Sequence, residues 1–189
     1  MLPTIKIKQL LKTDKNLINE VRLLAAERNF PSLANFNFDD STAAWILLNS
    51  DNQPTNFACA HSITINDQVY VRIMSKAAQL SDQRLPLLGI TGRAKRAENY
   101  CMLFHHINWA NTHYPNIPIV ITASVDYNKD SPKSHLVFKL CKSGKYFGVN
   151  PDYFLTNVNK KVQGVFGVQS VKVFEAYSQL EKMYKVVVE

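Results

Sequence analysis

Two stretches and one histidine hold the residues whose types and spacing could do chemistry. The segment "LLGITGRAKRAENY" (residues 87–100) sets Gly89 and Gly92 beside Arg93, Lys95 and Arg96, just before a helix-forming run. Backbone N–H groups of a glycine-bearing loop at a helix start can cradle phosphate oxygens, and the helix dipole favours their negative charge. The same residues would equally make a flexible basic loop opening an ordinary helix. In "ACAHSIT" (58–64), His61 could exchange a proton near neutral pH, although a hydrogen-bonded or outward-facing strand histidine is the plainer reading. The segment "SHLVFKLCKSGKYFGV" (134–149) is an apolar-faced helix that stops at Gly144, where a left-handed residue is wanted, and drops into an aromatic strand. His105 and His106 are adjacent, so they point about 100° apart on a helix and form no i,i+4 ligand pair. Neither Cys-x-x-Cys nor His-x-x-x-His occurs, and no metal is expected. A Gly-x-Ser-x-Gly elbow, a P-loop and a dinucleotide fingerprint are missing as well.

These residues need a scaffold, and 189 residues with 46% apolar content can build the core of one domain, expected to span 1–189. Helical spacing of Leu17, Ile18, Val21, Leu24 and Ala25 predicts a first helix over 13–29. "AAWILLN", "NFACAHSITI" and "QVYVRIMS", separated by the turns "SDNQPT" and "ND", read as an antiparallel meander. A long irregular loop (76–96) leads to a helix over 97–113 that Pro115 ends. "IPIVITASV" is an apolar, β-branched run suited to a sheet centre. Pro132 suits the first turn of the next helix. "YFGV", an irregular 150–161 and the alternating "VQGVFGVQSVKVF" (162–174) then finish the sheet as strands.

The net charge is +7, and residues 129–161 concentrate seven lysines against Asp130 and Asp152. Lys142, Lys145 and Lys160 therefore mark a candidate surface for nucleic acid or another anion, while a simply solvated lysine face fits the composition too. Three widely spaced cysteines in apolar segments argue for reduced core thiols rather than a disulfide framework. No apolar run reaches the roughly 20 residues of a membrane span and no secretory leader is visible, so a cytoplasmic, membrane-free protein is expected.

The element order of helix, three antiparallel strands, loop, helix, buried strand, helix and two strands resembles the Gcn5-related N-acetyltransferase (GNAT) family over nearly the whole chain. "LCKSGKYF" is similar to that family's "Tyr-x-x-x-Gly-Phe" ending, with Gly144 at the glycine and Phe147 near the aromatic. In the phosphate loop, Gly92-Arg93-Ala94 matches the second half of the family pattern, while Gly89 stands where it has Arg or Gln. The irregular motifs also resemble divergent phage GNAT-like DNA-modification proteins. The resemblance implies an α+β fold, with a mostly antiparallel sheet, an N-terminal meander and helices on both faces. It further implies an acyl-CoA-dependent N-acyltransferase using acetyl-CoA or another acyl-CoA, with an amine acceptor that nucleic acid could supply. Cofactor contacts would fall on Met74, Lys76, Gly89, Gly92, Arg93, Ala94, Arg96, Ser124 and Asn128. Leu140 takes the place of the family's proton-donating tyrosine, leaving Tyr146 or water as the acid, with His61 as base and His135 as a second histidine near the cofactor end. The competing expectation is a non-catalytic GNAT-like module that binds nucleic acid or a protein through its basic face.

Overall fold

The computed structural model describes residues 1–37, 43–88, 96–126 and 132–189. The chain runs β1 (Thr4–Leu10), α1 (Lys15–Glu27), α2 (Pro31–Ala34), β2 (Ala43–Leu48), β3 (Pro54–Ile65), β4 (Gln68–Arg72) and β5 (Ala78–Gln79). It continues through α3 (Ala97–His113), β6 (Ile119–Ser124), α4 (Pro132–Lys142), β7 (Val149–Val158), β8 (Lys161–Val168), α5 (Ser170–Met183) and β9 (Lys185–Val188). One sheet takes them in the order β7-β8-β6-β4-β3-β2-β1-β9, with β5 paired to β3. Among the described residues, only β4–β6 and β1–β9 pair in parallel.

Side-chain alternation divides the sheet into two faces, each covered by helices. Ile5, Ile7, Trp45, Leu47, Ala58, Ala60, Val71 and Ile73 point to the face that α3, α4 and α5 bury. Leu10, Ala44, Ile46, Phe57 and Cys59 point to the other, where Val21 and Ala25 of α1 and Leu33 of α2 close over them. Each buried Val, Leu, Ile or Phe among them contributes about 1.5–3 kcal/mol relative to exposure. The meander is as expected, and its "ND" turn has both Asn66 and Asp67 at positive φ, the geometry that matches the twist of paired strands.

Three differences from the sequence reading concern the ends of the chain. Residues 4–10 form β1, whose Ile5 and Ile7 alternate with Lys6 and Lys8. The residues from 150 that looked irregular continue as β7, bulged between Val149 and Tyr153. "VQGVFGVQSVKVF" is half strand and half helix, because β8 stops at Val168 and α5 begins at Ser170. Val173, Ala176, Tyr177 and Leu180 are the buried stripe of α5, a helical spacing that a window ending at residue 174 cannot reveal.

Close packing fixes α4 to the sheet. A Cβ added at Gly164 of β8 would stand 2.7 Å from Cε2 of Phe138, so only glycine lets that ring lie on the strand. At its C-terminus, α4 closes with Gly144 at φ +67°, the Gly144 N–H donating to the Cys141 carbonyl and the Lys145 N–H to the Leu140 carbonyl. This paired capping satisfies two otherwise orphaned carbonyls and turns the chain toward Tyr146 and Phe147.

Candidate functional site

The parallel pair β4–β6 is short. Arg72↔Val120 is its last register pair, and the Ile73 N–H donates to the Val120 carbonyl at 3.0 Å. Met74 then takes φ 55°, an unusual left-handed conformation for a side-chain-bearing residue, and the chain swings back to β3, where the Ser75 N–H donates to the Cys59 carbonyl at 2.9 Å. Strand β6 runs on to Ser124 with β8 as its partner. Because the Val125 N–H donates to Val162 of β8, alternation turns the backbone groups of Thr122 and Ser124 the other way, toward the space that β4 has left. The sheet therefore splays between β4 and β6, with a polar strand edge along one wall.

Different chemistry stands on the two faces beside this gap. On the α1–α2 face, His61 and Arg72 are cross-strand partners, and Cys59 lies two residues from His61 on the same side. Burial pushes the Cys59 thiol up and the Arg72 guanidinium down from their usual ranges. The Ser75 hydroxyl lies 3.1 Å from Cys59 Sγ, and Lys76 Nζ sits 4.8 Å over the ring of Phe36. Further along that face, Thr122 Oγ1 and Gln163 Oε1 are buried with no hydrogen-bond partner.

On the α3–α4 face, half-buried Tyr146 lies among the residues that pack on the main core. Burial and the neighbouring Cys141 thiol push its phenol up to about 12, and burial pushes Cys141 itself to about 12. Tyr100, in the first turn of α3, is fully buried, its hydroxyl unpartnered and its phenol raised by burial and by Tyr146. Its ring meets Phe147 edge-on at 5.9 Å. His61 and Tyr146 therefore stand on opposite faces of the sheet.

The start of α3 is already occupied by the chain itself. The Ala97 N–H donates to the Leu85 carbonyl, and Glu98 Oε1 accepts the Leu85 N–H at 2.8 Å. Glu98 is 3% exposed, and burial raises its carboxyl above the usual range. Arg96, just before the helix, donates to Gln79 Oε1 at 3.0 Å, sharing that oxygen with Arg84.

The expected site residues divide accordingly. Met74 and Ser124 border the gap, His61 stands one strand further over on β3 as the partner of Arg72, Lys76 lies on the α1–α2 face, and Arg96 is at the base of the loop. Gly89, Gly92, Arg93, Ala94 and Asn128 lie outside the described residues. His135 contacts the Val125 carbonyl through Nδ1 at 2.9 Å. His105 and His106 are core residues against Trp45, both pushed down to about 4 by burial. Lys142 and Lys145 stand near the start of β7, whereas Lys160 is in the turn after its end, roughly 30 Å away at 3.3 Å per residue. Residues the sequence reading missed are Arg72 and Thr122. Their signal was alternation: Arg72 follows Val71 and precedes Ile73, so it must face away from the main core.

The sequence matches no protein-family model and no curated protein. Solved structures do match in shape. A CoA-dependent acyl-homoserine lactone synthase, BjaI, with SAM and isopentyl-CoA superposes with a TM-score of 0.56 at 9% identity, covering 98% of this chain and 93% of that one. An acetyltransferase of the GNAT family from Staphylococcus aureus Mu50 gives a TM-score of 0.50 at 12% identity, covering 88% and 99%. The fold is that of the Gcn5-related N-acetyltransferases. Within this GNAT fold, β4 and β6 are the splayed pair and α3 follows the loop that the sequence match placed at the phosphates. No helix among the described residues is long and apolar enough to cross a membrane, and no group of three or more possible metal ligands occurs among them.

Proposed function

We propose that the protein is an N-acyltransferase that takes its acyl group from a CoA thioester. The observation that carries this reading is the gap between β4 and β6, where a strand edge bearing Thr122 and Ser124 offers amide groups to an extended thioester arm. The buried, unpartnered Thr122 hydroxyl fits a polar ligand there. The structural neighbour with SAM and isopentyl-CoA supports a CoA-type donor. The bound thioester would supply the activated acyl carbon.

The chain's own residues then have separate tasks. His61, on the α1–α2 face, takes a proton from the incoming amine. The amine nitrogen bonds to the acyl carbon as the C–S bond breaks, and the departing thiolate takes a proton from the α3–α4 face. Tyr146 carries the phenol on that face; it is protonated at neutral pH, and since burial weakens it as an acid, it donates only as negative charge builds on the sulfur. Backbone N–H groups at the gap, with Met74 at the turn of β4, stabilise negative charge on the acyl oxygen.

The occupied start of α3 favours a second reading, a non-catalytic module that retains the sheet and binds nucleic acid or a protein partner. Thermal unfolding with millimolar acetyl-CoA, together with thiol release in the presence of amines, separates the two. The acyltransferase predicts a raised Tm and thiol release that falls in Tyr146→Phe without loss of the Tm shift. No shift with any acyl-CoA, combined with nucleic-acid affinity that drops steeply with salt, would establish the module instead.

A further inference from the structure

Arg72 is a buried cation with no counter-ion among the described residues. It is 9% exposed, its Nε has no hydrogen-bond partner, and no carboxylate among the described residues pairs with it. A charge in that position is costly unless it is paired, and removing it from water without an anion leaves a penalty that the fold must carry. The side chain leaves β4 on the His61 face, because Val71 and Ile73 on either side point into the opposite core. Its position is the last register pair before β4 abandons β6, at the lip of the gap. Thr122 stands two residues, about 7 Å, further along β6 on the same face. Gln163 follows at the next level as the cross-strand partner of Ser124. One unpaired buried guanidinium, one unpaired hydroxyl and one unpaired amide oxygen therefore follow one another along one face of the sheet, about 7 Å per step.

We propose that Arg72 binds a carboxylate carried by the acceptor amine. This rests on the N-acyltransferase reading, and it names the class of acceptor: an amino acid or another amine bearing a carboxylate close to its nitrogen. The guanidinium fork matches the two oxygens of a carboxylate, and the Thr122 hydroxyl adds a donor beyond it. Charge selects carboxylate over phosphate, since a single cation neutralises a monoanion and leaves a phosphomonoester dianion half uncompensated in a buried site. With the carboxylate held at Arg72, the amine of the same molecule lies beside His61, the cross-strand neighbour.

The test uses the full chain and two variants, Arg72→Met, which keeps an apolar stem, and Arg72→Lys, which keeps the charge without the fork. Probes are a panel of free amino acids, the matching C-terminal amides, and inorganic phosphate, read first by thermal unfolding without any acyl-CoA. Arg72→Met alone should be more stable than wild type by roughly 2–4 °C, because an uncompensated buried charge has been removed. At least one amino acid should raise the wild-type Tm while its amide does not, and Arg72→Met should lose that shift. With acetyl-CoA present, thiol release should favour that acid over its amide by roughly tenfold to a hundredfold, with the preference gone in Arg72→Met and reduced in Arg72→Lys. A strongly destabilised Arg72→Met would overturn the proposal, since a carboxylate of this chain would then already neutralise the guanidinium. Equal shifts by acids and amides, stabilisation by phosphate alone, or no shift by any carboxylate would each overturn it too. Carboxylate-specific shifts without thiol release from any acyl-CoA refute acyl transfer and keep the carboxylate site; thiol release from acids and amides alike does the reverse.

Discussion

Replacing Gly164 by alanine tests whether α4 is seated on the strand that backs the gap. The new Cβ would lie 2.7 Å from Phe138 Cε2, 2.8 Å from Phe166 Cε2 and 2.9 Å from Phe138 Cδ2. Both rings are buried, and Phe138 is packed edge-on against Tyr153 and Phe166, so neither can swing aside without moving a neighbour. Overpacking of this kind costs about 1–3 kcal/mol, offset by the 0.4–1 kcal/mol that alanine gains by restricting the unfolded chain. The net loss of about 1–2 kcal/mol corresponds to a fall in Tm of about 2–8 °C for a chain of this size. Gly167 on the same strand is the internal control, because nothing lies within 4 Å of its added Cβ. Urea unfolding of both alanine variants should show opposite signs, and Phe138→Leu should relieve the Gly164→Ala penalty, giving a coupling energy of at least about 0.5 kcal/mol. Equal stability of the two alanine variants, or strict additivity with Phe138→Leu, would refute the packing of α4 on β8.

Two further predictions concern pH. His105 and His106, held near 4 by burial against an ordinary value of 6.5, bind protons more readily when unfolded, so the stability they contribute is present above pH 6.5 and lost as pH falls toward 4. Denaturant midpoints across that range should drop by an amount worth a few kcal/mol, and His106→Leu should flatten the profile. Glu98 has the opposite sense: a carboxyl raised above its ordinary 4.5 favours its protonated form in the fold, so stability falls as pH rises from 4.5 through the elevated native value. Glu98→Gln, which keeps an acceptor for the Leu85 N–H, should raise Tm at pH 8 and change it little at pH 4; an unchanged or lowered Tm at pH 8 would show that the carboxylate is compensated.

How much of this could be read from the sequence depended on whether the signal was local. The spacing of Ile18, Val21 and Ala25, the "ND" turn and the glycine after α4 are each decided within a few residues, and the structure has all three. Helix α5 was hidden because Val171 and Val173 alternate as in a strand, yet Val171 is exposed and Val173 buried on a helix. The gap between β4 and β6 depends on Met74 turning back toward β3, which composition does not announce. Arg72 read as an ordinary charged residue, since its burial follows from the pairing of strands distant in sequence. The lysine-rich run read as one surface, and β7 carries its parts to opposite ends.

The parallel pairing of β1 with β9 also dictates an order of events during synthesis. Thr4 pairs with Lys185 and Ile7 with Val188, so the outer edge of β1 acquires its partner after about 180 further residues have left the ribosome. Until then β1 and β2 can pair, but the nascent sheet presents an unpaired strand edge with alternating isoleucines, the kind of edge that recruits other chains. Lys6, which stands between those isoleucines and makes no ion pair among the described residues, is placed to repel such partners while the chain is still being made, whereas Lys8 is engaged by Asp14.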